Sequence, residues 1–153
     1  MNIAHHAVEK EGGVIVTAGL GSCVAIAIHD PAARVAGLAH VLLPAEFPGT
    51  EIRNRARYAS TAVPLLVEEM RALGARGPLV AKIAGGAGLF GKLLSIAGTV
   101  GVRNIEASRV ALAAAGIPIV AEDVGGASGR TVTFDVATGA LHVRSVQGGE
   151  RVI

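Results

Sequence analysis

From Gly12 to Ile28 the chain carries no charged side chain, and this run limits the available folds more than any other stretch. It falls short of the roughly 18 consecutive apolar residues of a membrane-spanning helix. It is also broken by four glycines and by Thr17, Ser22 and Cys23. Large and small residues alternate along it, which predicts a pair of buried strands. The first is Val14–Thr17, V-I-V-T, followed by the turn residues A-G-L-G.

The second strand opens a hairpin. Cys23 to His29 and Arg34 to Val41 are β-rich runs separated by D-P-A-A, where Pro presets φ and Asp can bond the backbone after it. Pro44 to Arg57 reads as a polar loop, mobile or partner-facing, in which Arg53, Arg55 and Arg57 are most simply solvated and secondarily a contact for an acidic protein surface. Helical spacing from Tyr58 to Leu73 stops at Gly74, and Pro64 predicts that the regular helix begins near Thr61 or kinks. Leu79–Ala84 reads as a strand, Gly85–Gly101 as a glycine-rich segment, and Asn104 as the N-cap of a helix running to Ala115. Pro118–Glu122 is a short strand, with Glu122, Asp123 and Gly125-Gly126 forming a turn. R-T-V-T-F-D-V-A-T-G-A-L-H-V-R-S-V predicts a second hairpin about Thr138-Gly139. Mixed elements of this kind imply a layered α/β domain with helices packed on mixed sheets. At 153 residues the chain fits one domain, residues 1–153.

Composition narrows the function. The amino terminus lacks a basic region followed by an apolar one, so the expected location is the cytoplasm, without membrane insertion. A formal charge of +2 is spread over scattered Arg and Lys, and 3% aromatics leaves few platforms for stacking bases. Nucleic acid is not an expected partner. His5, His6, His29 and His142 show no ligand spacing, so no metal site is expected.

A single cysteine can form no internal disulfide, which leaves Cys23 as core filler or as a reactive thiol. A hairpin turn on Asp30–Ala33 sets His29 opposite Arg34 and, counting back, Cys23 directly opposite His40. Directly opposed residues have Cβ atoms about 4.5–5.5 Å apart. The thiolate is the nucleophile, and a cysteine pKa of about 8.5 leaves little of it at neutral pH. An imidazolium beside the sulfur would stabilise the thiolate and then protonate a leaving amine. A third group should orient the imidazole through its other nitrogen, and Thr17 offers a hydroxyl and a carbonyl for that. Glycines in G-L-G-S-C free backbone N–H groups near the sulfur, making Gly21, Ser22 and Cys23 candidates for an oxyanion hole. The competing reading is a buried small hydrophobe at Cys23 and a satisfied core histidine at His40. On these residues alone both stay open, as do a docking module and a thiol redox sensor.

A rival motif lies downstream. Gly86 to Lys92 has the glycine and lysine spacing of a phosphate-binding loop, but Leu93 stands where a hydroxyl should meet magnesium.

Taken together, T-x-G-L-G-S-C-V, H-V-L-L-P, Y-A-S-T-A-V-P-L-L-V-E-E-M, K-I-A-G-G-A-G-L-F, G-x-R-N, A-E-D-V-G-G and G-R-T-V-T-F resemble the CheD family of bacterial chemotaxis. The resemblance spans about Gly13 to Val146. It implies a glutamine deamidase of chemoreceptors with Cys23 as nucleophile, His40 as general acid and base, and Thr17 orienting His40. It also implies structural roles for Gly85, Gly86 and Ala87, and a fold related to the catalytic domain of cytotoxic necrotizing factor toxins. The implied partners are receptor cytoplasmic helices as substrate and a CheC-type phosphatase, and no cofactor is implied. Two positions depart from the family pattern: Ser60 replaces an acidic residue and Leu89 a methionine.

Overall fold

The computed structural model describes residues 1–88 and 100–153. Among the described residues, nine strands and two α-helices build three layers. The strands are β1 (His6–Lys10), β2 (Val14–Leu20), β3 (Val24–Asp30), β4 (Val35–Val41), β5 (Val80–Gly85), β6 (Ile119–Val124), β7 (Arg130–Asp135), β8 (Leu141–Ser145) and β9 (Gly149–Val152). The helices are α1 (Ala59–Ala72) and α2 (Val100–Ala114). One sheet has the order β1-β4-β3-β5-β6 and the other β2-β7-β8-β9. Among the described strands, β5 and β6 are the pair that runs parallel.

β3 and β4 are buried on both faces, as their predominantly apolar sequences require. One face, through Val24, Ile26, Ile28, Val35 and Val41, packs on Val63, Leu66 and Met70 of α1 and Ile105 and Leu112 of α2. The other face, through Ala25, Ala27, Ala36 and Leu38, meets Phe134, Leu141 and Val143 of the second sheet. Alanines on one side of that interface leave room for the large residues on the other. At Gly37 a Cβ would stand 3.1 Å from Met70 Sδ, so glycine there sets how closely α1 approaches β4.

The hairpin is present, but its register differs from the predicted one. Asp30 pairs with Val35, and Ala25, not Cys23, faces His40. Asp30 is the reason. Its carboxylate accepts from Ala32 and Ala33 N–H, each at 3.0 Å, and from Arg76 and Gly77 N–H at 2.9 and 2.8 Å. Burial pushes this carboxyl up, but the four N–H donors hold its pKa below the ordinary value. Asp30 therefore ends the strand instead of starting the turn, and the loop becomes Pro31–Arg34, with Arg34 left-handed at φ 50°. Because the register moves by an even number, Cys23 and His40 keep a common face, now as diagonal neighbours with Cα atoms about 7–8 Å apart.

Two helix readings also change. α1 starts at Ala59 and runs through Pro64, which sits early in the helix and costs it one hydrogen bond. Asn104 lies inside α2, not at its start, and its side chain turns into the protein. β1 and β9, unmarked in the sequence, extend the two sheets. Glu122 and Asp123 are residues of β6, where Glu122 pairs with Arg109 at 2.8 Å and Asp123 with Arg130 at 2.9 Å. Most of the Gly86–Lys92 motif lies outside the described residues. Among the described residues no helix is long and apolar enough to cross a membrane.

Candidate active site

Thr17 and His40 meet between the two sheets, and Cys23 lies on the same face of the first sheet as Ala25 and Ala27. On β2, Ile15 and Thr17 point inward while Val14 and Val16 face out, so strand alternation delivers the Thr17 hydroxyl to the sheet interface. Beyond Thr17 the pairing with β7 is irregular, and Gly19 adopts φ 73°, turning the chain toward Ser22 and Cys23. His40 reaches the same space from β4 and Cys23 from the residue just before β3. All three side chains are buried.

Thr17 Oγ1 lies 2.7 Å from His40 Nδ1 and 3.1 Å from the Met1 carbonyl oxygen. A hydroxyl has one proton, and a carbonyl can only accept. Thr17 therefore donates to Met1 and accepts from His40 Nδ1–H. This fixes the imidazole tautomer and leaves the lone pair on Nε2. Nε2 is buried and has no hydrogen-bond partner among the described residues. The backbone around the ring is also held: His40 N–H donates to His5 O, and Ala4 N–H donates to His40 O, both at 2.9 Å.

Charge in this pocket is unfavourable. Burial, then the amino-terminal ammonium and His5, lower the His40 pKa to about 4. Burial likewise pushes the Cys23 thiol up, partly countered by its own backbone N–H against the sulfur. The resting pair is thus neutral thiol and neutral imidazole, in place of the ion pair expected from the residue types. An unprotonated Nε2 can take a proton from the thiol as the sulfur attacks.

Backbone donors are distributed unevenly. Gly21 N–H donates to Gly19 O at 3.0 Å and is committed to the turn. Among the described residues no backbone carbonyl accepts from Ser22 or Cys23 N–H. The opposite edges of this loop are clamped. Gly86 N–H donates to Cys23 O at 2.7 Å and Ala87 N–H to Gly21 O at 2.8 Å. A Cβ on Gly85, at φ 114°, would stand 2.3 Å from Cys23 O, so only glycine lets β5 approach this closely. The clamp is itself braced by the end of β6: Gly125 N–H donates to Gly85 O and Gly88 N–H to Gly126 O, both at 2.9 Å. Arg130 fixes that corner by bonding Asp123 Oδ1 at 3.0 Å and Gly125 O at 2.9 Å.

Reading by residue type missed the Met1 carbonyl, the Asn104 side chain and the Arg130 brace. G-x-R-N carries Asn104 and G-R-T-V-T-F carries Arg130, each only as part of a larger motif. The arginines of the 44–57 loop make local pairs, Arg53 with Glu51 at 2.9 Å and Arg55 with Glu68 at 2.8 Å.

Comparison with known proteins identifies the family. Residues 42–145 match the family described as CheD chemotactic sensory transduction. A protein of Thermotoga maritima named chemoreceptor glutamine deamidase CheD is 46% identical, over 99% of this chain and 94% of its own length. A probable chemoreceptor glutamine deamidase of Geobacter metallireducens is 48% identical, covering 96% of this chain and 93% of its own. A chemoreceptor glutamine deamidase of Halalkalibacterium halodurans is 46% identical, covering 91% and 88%.

Proposed function

The chain belongs to the CheD family, and from that premise we propose that it hydrolyses glutamine side-chain amides to glutamate on the cytoplasmic helices of chemoreceptors. Support comes from the names of the relatives and from one feature of the site. Thr17 holds His40 by Nδ1 at 2.7 Å, leaving Nε2, among the described residues, without a partner on the face shared with Cys23.

The proposed steps follow from that geometry. Cys23 Sγ attacks the carboxamide carbon while its proton passes to His40 Nε2, and the carbonyl electrons move onto oxygen. Ser22 and Cys23 N–H receive that oxyanion. The C–N bond breaks as Nε2–H protonates the nitrogen, ammonia leaves and a thioester remains. Water then gives a proton to Nε2 and attacks the thioester, releasing glutamate and the sulfur, which recovers its proton. Thr17 holds the imidazole in one tautomer throughout. Each turnover converts a neutral receptor side chain into an anion, which changes how receptor helices pack.

We place this activity in the cytoplasm, and a CheC-type phosphatase is the proposed competitor for the same surface. Kinship with the catalytic domain of cytotoxic necrotizing factor toxins belongs to the same proposal, supported by a nucleophile lying between two stacked sheets.

The test is ammonia release from a receptor cytoplasmic fragment together with a binding measurement. Wild type releases ammonia, while Cys23→Ala and His40→Ala bind the fragment and release none. Binding without release by the wild type would favour a docking module instead.

A further inference from the structure

Asn104 is fully buried inside α2, and its side chain bonds outside the helix. Its Nδ2 donates to Ser22 O at 2.9 Å and to Leu42 O at 3.0 Å. Both neighbours are carbonyl oxygens, so the amide's NH2 end must face them. These two carbonyls lie where the β3–β4 ladder has ended, since the last pair is Val24 with Val41. One belongs to the residue before Cys23 and the other lies two residues beyond His40. Asn104 therefore bridges the two strands at the point where ladder hydrogen bonds no longer hold them, from partners 82 and 62 residues away in the chain.

The Ser22 carbonyl has a particular significance. It belongs to the same planar, trans peptide unit as the Cys23 N–H, and in that unit C=O and N–H point in opposite directions. Holding the oxygen on the α2 side directs the N–H to the other side. Cys23 O, on that other side, is held in turn by Gly86 N–H at 2.7 Å. Meanwhile Asn104 Oδ1 is buried without a hydrogen-bond partner among the described residues. The amide leaves its own acceptor unpaired while supplying both carbonyls with donors, so the residue serves the position of its donors better than it serves the core.

We infer that Asn104 is a positioning residue for the reaction: by holding the Ser22 carbonyl it aims the Cys23 N–H at the oxygen of the tetrahedral intermediate. The inference rests on the deamidase reading and goes beyond it, because it assigns a role outside the Cys23, His40 and Thr17 trio. It makes a distinction that a purely structural role does not. Amide hydrolysis needs an oxyanion donor, whereas alkylation of the same sulfur by iodoacetamide forms no oxyanion and needs only thiol and base.

The experiment compares wild type with Asn104→Ala on two readouts, kcat and KM for deamidation of a receptor fragment, and the rate of Cys23 alkylation as a function of pH. The expected result is a fall in kcat of about 10- to 100-fold, in the range for a lost or misaimed oxyanion donor. KM, the alkylation rate and its pH profile stay within about twofold. If Asn104→Ala fails to fold by circular dichroism, Asn104→Ser, whose hydroxyl can serve one carbonyl at most, is taken through the same two measurements. A kcat unchanged from wild type overturns the assignment and leaves the deamidase reading standing. Parallel loss of deamidation and alkylation also overturns it, reducing Asn104 to a structural brace. Absence of conversion by the wild type overturns both.

Discussion

A threonine hydroxyl has one proton, and at Thr17 the Met1 carbonyl takes it, so the hydroxyl can serve His40 only as an acceptor. Thr17→Val keeps the shape and removes that acceptor. On the proposed mechanism, kcat for deamidation falls about 10- to 100-fold with KM little changed, while Thr17→Ser retains most activity. An equal loss in both variants would mean that packing, not the hydroxyl, matters at this position. The neutral resting pair has its own signature. With His40 lowered to about 4, the imidazole stays a competent base well below its ordinary 6.5, so kcat/KM should hold from neutrality down to about pH 5. Cys23, pushed above its ordinary 9.0, should show no thiolate plateau in an alkylation profile at neutral pH. A plateau beginning near pH 6 would indicate an ion pair. The three side chains were legible because their chemistry is carried by residue type. The protonation state was not, because it depends on burial by layers distant in sequence.

At the scale of elements, the site depends on how closely β5 can approach the residue before β3. Gly85→Ala sets a Cβ against Cys23 O and forces a side chain into a left-handed conformation, and the atom it meets is backbone. The expected cost is at least about 2 kcal/mol in urea unfolding, accompanied by a change in Cys23 alkylation rate. Gly12→Ala, with nothing nearby, is the control and should leave both unchanged. The elements themselves were largely readable from local signals: D-P after an uncharged run, Gly74 after an apolar stripe, Thr138-Gly139 between alternating runs. Register was not readable, because Asp30 is satisfied partly by Arg76 and Gly77, 46 and 47 residues away. β1 and β9 escaped notice for a different reason. Neither has a fully buried residue, and exposed edge strands lack the alternation that marks a strand. Asn104 satisfied a local rule for helix caps, but its true partners are remote.

For the whole molecule, three layers close over histidines that remain neutral. His40 has its pKa lowered mainly by burial, as does His29, whose Nε2 meets Val136 O at 3.0 Å. The sign of the linkage is fixed by those directions. Above pH 6.5 both states leave His40 unprotonated and its contribution is complete. Between 6.5 and about 4 the unfolded chain binds a proton that the folded chain refuses, so stability falls with pH. Over that window His40 accounts for about 3 kcal/mol of lost stability. Urea midpoints measured from pH 7 to pH 4 should decline for the wild type and decline less for His40→Gln, with an identical slope in both counting against a buried neutral imidazole. The layered α/β class followed from the order of elements, but the stacking of the second sheet on the alanine face of the first did not, since it joins Ala25 and Leu38 to Phe134 and Leu141 across about a hundred residues. That stacking buries Thr17, His40 and Cys23 between the two sheets.

The measurement closest to the central claim is peptide mass spectrometry of a chemoreceptor cytoplasmic fragment incubated with wild type and, separately, with Cys23→Ala. The account expects glutamine-to-glutamate conversion at defined side chains with the wild type and none above the spontaneous background with Cys23→Ala. Conversion at equal rates by both proteins would contradict it, because the attacking atom would then not be the Cys23 sulfur.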